Sequence, residues 1–225
     1  MATRPVFVPL RSKSAFVREI PVEFTWFAGL SVSQKQKSVA SLHEAARSRL
    51  RVNEILEISS KSTVSIGVGL SAFNLSLPME GRRVSVEVAY QSGKKFERGG
   101  PFLDLLSGSS RDAKTDPRLK ESGHLVGFVL SGEPWPLEPQ TAFYDWLYLN
   151  ALVANPALSG PLLDYGAFTD IEFNPEKSLN CQARSAALYV CLHRENMLKE
   201  ALSRKDAFLK VLGVSISETR QVGLF

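Results

Sequence analysis

The chain has 225 residues, of which 44% are hydrophobic and 22% charged, with a formal net charge of +4. Those values are ordinary for a globular protein and exclude a disordered or low-complexity chain. The length suits one well-filled domain, and the mild positive balance suits an anionic partner without naming it.

No run approaches the roughly 18 apolar residues of a membrane span. The opening residues, M-A-T-R-P-V-F-V-P-L, lack the apolar core of a secretory signal, so a cytoplasmic protein with no membrane partner is expected. Cys181 and Cys191 fall in one predicted helix, separated by about 15 Å of rise, too far for a disulfide. His43, His124 and His193 are scattered. No metal-ligand spacing arises, and neither a metal nor a cofactor is expected.

In chain order, residues 3–10 carry Pro5 and Pro9 and read as an edge strand or an extended arm. Residues 22–30, V-E-F-T-W-F-A-G-L, are aromatic and β-prone, a strand closing at Gly29. Residues 33–50 form a helix by pattern, with Val39, Leu42, Ala46 and Leu50 at helical spacing. Arg47, Arg49 and Arg51 add local positive charge, read as a solvated helix face with a phosphate-facing role as the alternative. Residues 53–59 read as a short strand running into Ser59-Ser60-Lys61-Ser62. Small hydroxyls beside a lysine can cradle phosphate oxygens together with backbone N–H groups; the same residues also make an ordinary surface turn.

Residues 67–72, G-V-G-L-S-A, match the loose dinucleotide pattern G-x-G-x-x-A, but the context fails it. That pattern needs a helix opening at its glycines, whereas Pro78 and Gly81 follow without a helical stripe. Gly67 and Gly69 instead mark a close approach or a bulge.

Residues 86–97 are expected to be helical, capped by Ser85 and stopped by Gly99-Gly100-Pro101. Glu87, Gln91 and Lys94 then recur at i, i+4 and i+7 and share one face. A carboxylate, an amide and an amine so aligned can hold a polar ligand, or can be a plain solvated face. A short helix over residues 102–106 follows, and residues 112–120 are charged and loop-like or briefly helical. Residues 125–130, L-V-G-F-V-L, read as a strand buried on both faces.

Trp135, in a proline-flanked loop, is the better candidate to stack on a base or ribose, since Trp146 lies on the wide apolar surface of a helix over residues 139–153. A helical turn is expected over residues 161–165. Asp170, Glu172, Asn174 and Asn180 cluster before the last major helix, which begins near residue 181. Asn180 sits where an N-cap belongs, and a helix N-terminus also offers donors to an anion. Residues 213–225 read as an extended tail. The fold expected is α+β, mainly helical: a single domain over residues 1–225, with a small sheet packed by helices.

The spacing E-x-x-x-Q-x-x-K of Glu87, Gln91 and Lys94, preceded by S-A-F-N at residues 71–74, resembles the YbiA/NADAR family of N-glycosidases. That family has a Ser-Asn-Phe segment and then a helix opening with Glu-His; here Asn74 follows the phenylalanine, and Val88 stands where histidine is common. The segments F-Y-D-W-L-Y (143–148), A-F-T-D-I-E-F-N-P (167–175) and K-S-L-N-C-Q-A (177–183) are similar to NADAR antitoxins paired with DarT-class DNA ADP-ribosyltransferase toxins, and the resemblance implies a domain core over about residues 7–209.

The resemblance implies an antitoxin glycohydrolase that cleaves the N-glycosidic bond between ADP-ribose and guanine in single-stranded DNA and releases ADP-ribose. It implies catalytic roles for Glu87, Lys94 and Asp170, with Glu172 an equal alternative to Asp170. Glu87 would stabilise charge or act as base, and Lys94 would attack the anomeric carbon or hold an anion. Asn74, Gln91, Trp135, Asn180, Ser59, Ser60 and Lys61 are candidate substrate contacts. Two other readings stand beside it: an antitoxin that neutralises its cognate toxin by contact alone, and an N-glycosidase of small ADP-ribosylated or ribosylamine metabolites.

Overall fold

Two β-prone runs separated by a short connection open the chain, and in the computed structural model they pair. The structure describes residues 1–10, 15–176 and 178–213. Strands β1 (Ala2–Pro9) and β2 (Val17–Phe24) run antiparallel, Ala2 opposite Phe24 and Pro9 opposite Val17. Pro5 faces Pro21. Neither has an N–H, so this must be a pair at which no ladder bond is made. The first strand is not the edge its prolines suggested: β2 takes the edge, and β1 lies between β2 and a later strand. Nor does a strand continue to Gly29, because β2 ends at Phe24 and Gly29 takes a φ of 133° in the turn before the next helix.

Helix α1 (Val32–Leu50) is capped by Ser31, whose side chain accepts from the Gln34 N–H. It lays Val39, Leu42 and Ala46 against one face of the sheet. Next come β3 (Ile55–Glu57) and the short helix α2 (Ser65–Gly69). Gly67 lies inside α2, and a Cβ there would overlap the Glu57 carbonyl oxygen and Ser62 Oγ. The close approach read from the sequence is therefore real. The hairpin β4 (Ser76–Met79) and β5 (Arg82–Ser85) leads into α3 (Val86–Ser92), capped by Ser85 as expected.

Helix α3 stops five residues early. The Gly93 carbonyl accepts from the Val129 N–H at 2.7 Å, and the chain continues as β6 (Lys94–Phe96), paired with a later strand so that Lys94 faces Phe128. Sheet pairing thus overrides a helical pattern, and Lys94 does not project from the helix that carries Glu87 and Gln91. A 3-10 turn (Leu103–Ser107) precedes two short helices, α4 (Ser110–Thr115) and α5 (Arg118–Glu121). Then β7 (Leu125–Leu130) pairs with β6 and with β8 (Glu133–Trp135). β7 is not buried on both faces, since Val126 is 48% exposed.

Helix α6 (Ala142–Val153) buries most of its circumference, as its apolar composition requires, and α7 (Pro156–Leu162) follows. β9 (Ala167–Thr169) enters the first sheet parallel to β3, giving the order β2-β1-β9-β3. Strand alternation then divides the core. Val6, Ile55 and Ala167 face α1, whereas Phe7, Leu56 and Phe168 face the main core with α8 (Gln182–Arg194) and α6. Helices α9 (Leu198–Ala201) and α10 (Lys205–Val211) close the described chain. The fold is mixed α+β, mainly helical, with its strands in sheets of four, three and two among the described residues. Of the tail expected over residues 213–225, residues 214–225 lie outside the described residues.

Candidate active site

Glu87 sits in the first turn of α3. It is 7% exposed, and its Oε1 accepts from Gln91 Nε2 at 2.9 Å, one helical turn on. The Glu87 N–H donates to the Ala72 carbonyl, which fixes the S-A-F-N segment against the helix. Lys94, on β6, lies within electrostatic reach of the same carboxylate. Its ammonium stands 4.7 Å above the Tyr90 ring. Burial pulls the Lys94 amine below its ordinary value, Glu87's charge opposes that shift, and Lys114's charge adds to it. Glu87, Gln91 and Lys94 therefore share an environment, although strand and helix supply them separately.

A second acidic group lies across Gln182, the first residue of α8. Gln182 Oε1 accepts from the Ala72 N–H at 2.7 Å and Nε2 donates to the Ile58 carbonyl, while the side chain also bonds the Asp170 carboxyl. Asp170 is 8% exposed, and its Oδ1 accepts the N–H groups of Glu172 and Phe173. Burial pushes the Asp170 carboxyl up to about 8, and the charge of Glu57 adds to that. Glu172 instead reaches outward to Lys35 at 3.3 Å, so of the two acids only Asp170 faces this network.

The sequence reading missed Glu57, which is 2% exposed at the end of β3. Its Oε1 accepts from Ser59 Oγ at 2.7 Å and from the Ile171 N–H at 2.8 Å, and its Oε2 accepts from Thr169 Oγ1 at 2.6 Å. Burial raises its affinity for a proton, and these three hydrogen bonds oppose that. Thr169 has one hydroxyl proton and gives it to Glu57. His43 Nε2, 2.8 Å from the same oxygen, must then be the donor there. Burial, followed by the charge of Arg47, lowers His43 to about 4 and keeps it neutral at pH 7. An acid inside N-E-I-L-E-I-S was the available signal, and Gln182 and Tyr90 gave none.

The remaining candidates divide. Asn180 is not the N-cap of α8; Cys181 takes that position. Asn180 Nδ2 instead donates to Tyr90 Oη at 2.6 Å, which ties the approach to α8 to helix α3. Asn180 Oδ1 and Gln91 Oε1 are buried acceptors with no hydrogen-bond partner among the described residues. A polar ligand bearing hydroxyl or N–H donors fits such a pair. Ser59 spends its hydroxyl on Glu57 and accepts from the Lys61 N–H, Ser60 is exposed, and Lys61 is half-buried. Those residues form a turn beside the Asp170 side of the network. Asn74 is exposed and donates to the Val68 carbonyl at 2.9 Å. Trp135 is corrected outright. It is a strand residue, 3% exposed, packed on Phe143 and Trp146, and presents no face to a ligand.

Cys181 and Cys191 are free and buried. No helix among the described residues is long and apolar enough to cross a membrane. Chemically, the arrangement offers a carboxylate under an amide, an amine inclined to lose its proton, and a carboxyl inclined to keep its own. Among curated proteins no match to the chain is found. The model of one protein family matches residues 2–222, so the chain belongs to the DarT1-associated NADAR antitoxins.

Proposed function

We propose that this antitoxin is a glycohydrolase that removes ADP-ribose from guanine bases of single-stranded DNA and so reverses the action of a DarT-type toxin. The observation that supports this best is the meeting of Glu87 and Gln91 of α3 with Lys94 of β6, linked through Ala72 and Gln182 to Asp170, with two buried acceptors unpaired among the described residues. Breaking the bond between the ribose anomeric carbon and the guanine nitrogen develops positive charge on the sugar. Glu87 faces that charge as a carboxylate. The leaving nitrogen needs a proton, and Asp170 holds one at neutral pH.

Lys94, with its proton affinity reduced by burial, is the nucleophile. Its free amine displaces guanine, which departs with the proton, and the ribose ring opens as an imine on Nζ. Water then adds to the imine carbon, restoring the amine and releasing ADP-ribose.

The test is release of ADP-ribose from a single-stranded oligonucleotide carrying ADP-ribosyl-guanine. Wild type should turn over many equivalents. Glu87→Gln and Lys94→Ala should each lose about a hundredfold or more in rate. Lys94→Arg, which keeps the charge but never deprotonates, should be as poor as Lys94→Ala. A wild-type protein that neutralises the toxin stoichiometrically while releasing nothing would sink the proposal and favour neutralisation by contact.

A further inference from the structure

Glu87 has a charged neighbour to which the proposed chemistry assigns no bond made or broken. Lys114, on α4, places Nζ 3.9 Å from Glu87 Oε1 and 4.9 Å from the Phe73 ring centroid, with its side chain 56% exposed. Phe73 is itself 39% exposed, although it directly follows Ala72, whose carbonyl accepts the Glu87 N–H. The backbone beneath this ring is fixed. Ser110 Oγ donates to the Phe73 carbonyl at 3.1 Å and lies 2.7 Å from Ser85 Oγ. The Ala72 N–H is held by Gln182 on one side, and Asn74 Nδ2 is anchored to Val68 on the other. A rigid mount thus carries an aromatic ring that the core does not cover, with an ammonium over it.

Resting on the reading of the Glu87 cluster as the reacting site, we infer that Phe73 and Lys114 form a nucleotide subsite at its rim. The ring stacks on a purine, and the ammonium contacts a phosphate oxygen of the same ligand. Both groups suit that exchange. Lys114 is the exposed partner of a long pair, 3.9 Å, and Glu87, which is buried, keeps its hydrogen bond from Gln91, so the ammonium is free to turn toward a phosphate oxygen. A π-face accepts any base and is sequence-tolerant. Neutral glycosylamines, with neither purine nor phosphate, gain nothing from this pair. The subsite therefore selects nucleotides over neutral sugars. Purine and phosphate come together in two sources, the adenosine diphosphate half of ADP-ribose and the DNA strand itself.

The two sources are separated by titrating ADP-ribose, and in parallel an unmodified single-stranded oligonucleotide, into wild type, Phe73→Leu, Lys114→Gln and Lys114→Arg. Circular dichroism checks that each variant is folded. Phe73→Leu and Lys114→Gln should both weaken binding of the same ligand about tenfold, while Lys114→Arg stays within about threefold of wild type. The ligand affected names the source. Release of ADP-ribose from saturating modified DNA by Phe73→Leu, which leaves every charge around Lys94 in place, should keep its kcat within about threefold, the loss falling on KM.

Unchanged affinity of both variants for both ligands overturns the subsite, as does a fall in kcat with KM unchanged in Phe73→Leu, or a wild type that binds neither ligand. A wild type that binds ADP-ribose through Phe73 and Lys114 yet releases none from modified DNA upholds the subsite and removes the glycohydrolase reading.

Discussion

Asp170 and Glu57 are two buried acids within electrostatic reach of one another, and each is driven toward its protonated form. Burial is the larger cause for both, and their mutual repulsion is a lesser one for Asp170. Unfolding returns Asp170 to the ordinary carboxylate range. Between about pH 4 and about 8 the unfolded chain therefore gives up a proton that the native state keeps. Native protein then binds more protons than unfolded, so stability must fall as pH rises through that window, by up to about 1.4 kcal/mol per pH unit for one such group.

Asn at position 170 can accept the same two backbone N–H groups without a charge. Urea unfolding of wild type at pH 5 and pH 8 should show a loss at the higher pH, and Asp170→Asn should show a clearly shallower one. Parallel pH dependences would mean that Asp170 is not held protonated by the fold. Only part of this chemistry was legible beforehand. Glu87 and Gln91 follow from helical spacing because they touch along one helix. Glu57 and Asp170 meet across two strands that are parallel neighbours though remote in sequence, and no local period records that.

Between elements, the instructive failure is the end of α3. Residues 94–97 continue a helical pattern, but Gly93 stops the helix by giving its carbonyl to β7, and its missing side chain matters: a Cβ there would come within 2.9 Å of Phe143 Cζ and of the Val129 carbonyl. Capping residues were readable because their hydrogen bonds are local, as with Ser85 and Val88. Strand pairing at Lys94 was not, because it depends on Phe128, which lies far along the chain.

Gly67 allows the same contrast to be measured. Helix propensity alone favours Gly67→Ala in α2 by about 1 kcal/mol. Its Cβ, however, would overlap the Glu57 carbonyl oxygen, and overpacking against backbone costs about 1–3 kcal/mol or more. Sterics should win, and Gly67→Ala should lower the urea midpoint. In α7, Gly160 has nothing beyond its chain neighbours within 4 Å of an added Cβ, but Pro161 follows it and disfavours a helical side chain at the residue before, so Gly160→Ala should forfeit the propensity gain and shift the midpoint far less than Gly67→Ala. Equal and favourable shifts at both positions would refute the close packing of α2 on β3.

Across the whole molecule, the polar network is assembled from pieces that no single element contains. β3 brings Glu57, the loop after α2 brings Ala72 and Phe73, α3 and β6 bring Glu87, Gln91 and Lys94, and the chain from β9 to α8 brings Asp170, Asn180 and Gln182. The sheet, α3 and α8 must all be in place before the network exists. A ligand that binds there has affinity for the native state alone, so its binding free energy adds to folding.

ADP-ribose at about 100 times its Kd should stabilise the protein by about 2.7 kcal/mol. For a chain of this size that is a rise of about 5–10 °C in Tm. The same addition should slow amide hydrogen exchange in all four pieces together, because each contributes partners to the others. Protection confined to one piece, or a Tm that ADP-ribose does not move, would show that these residues share a fold without sharing a ligand.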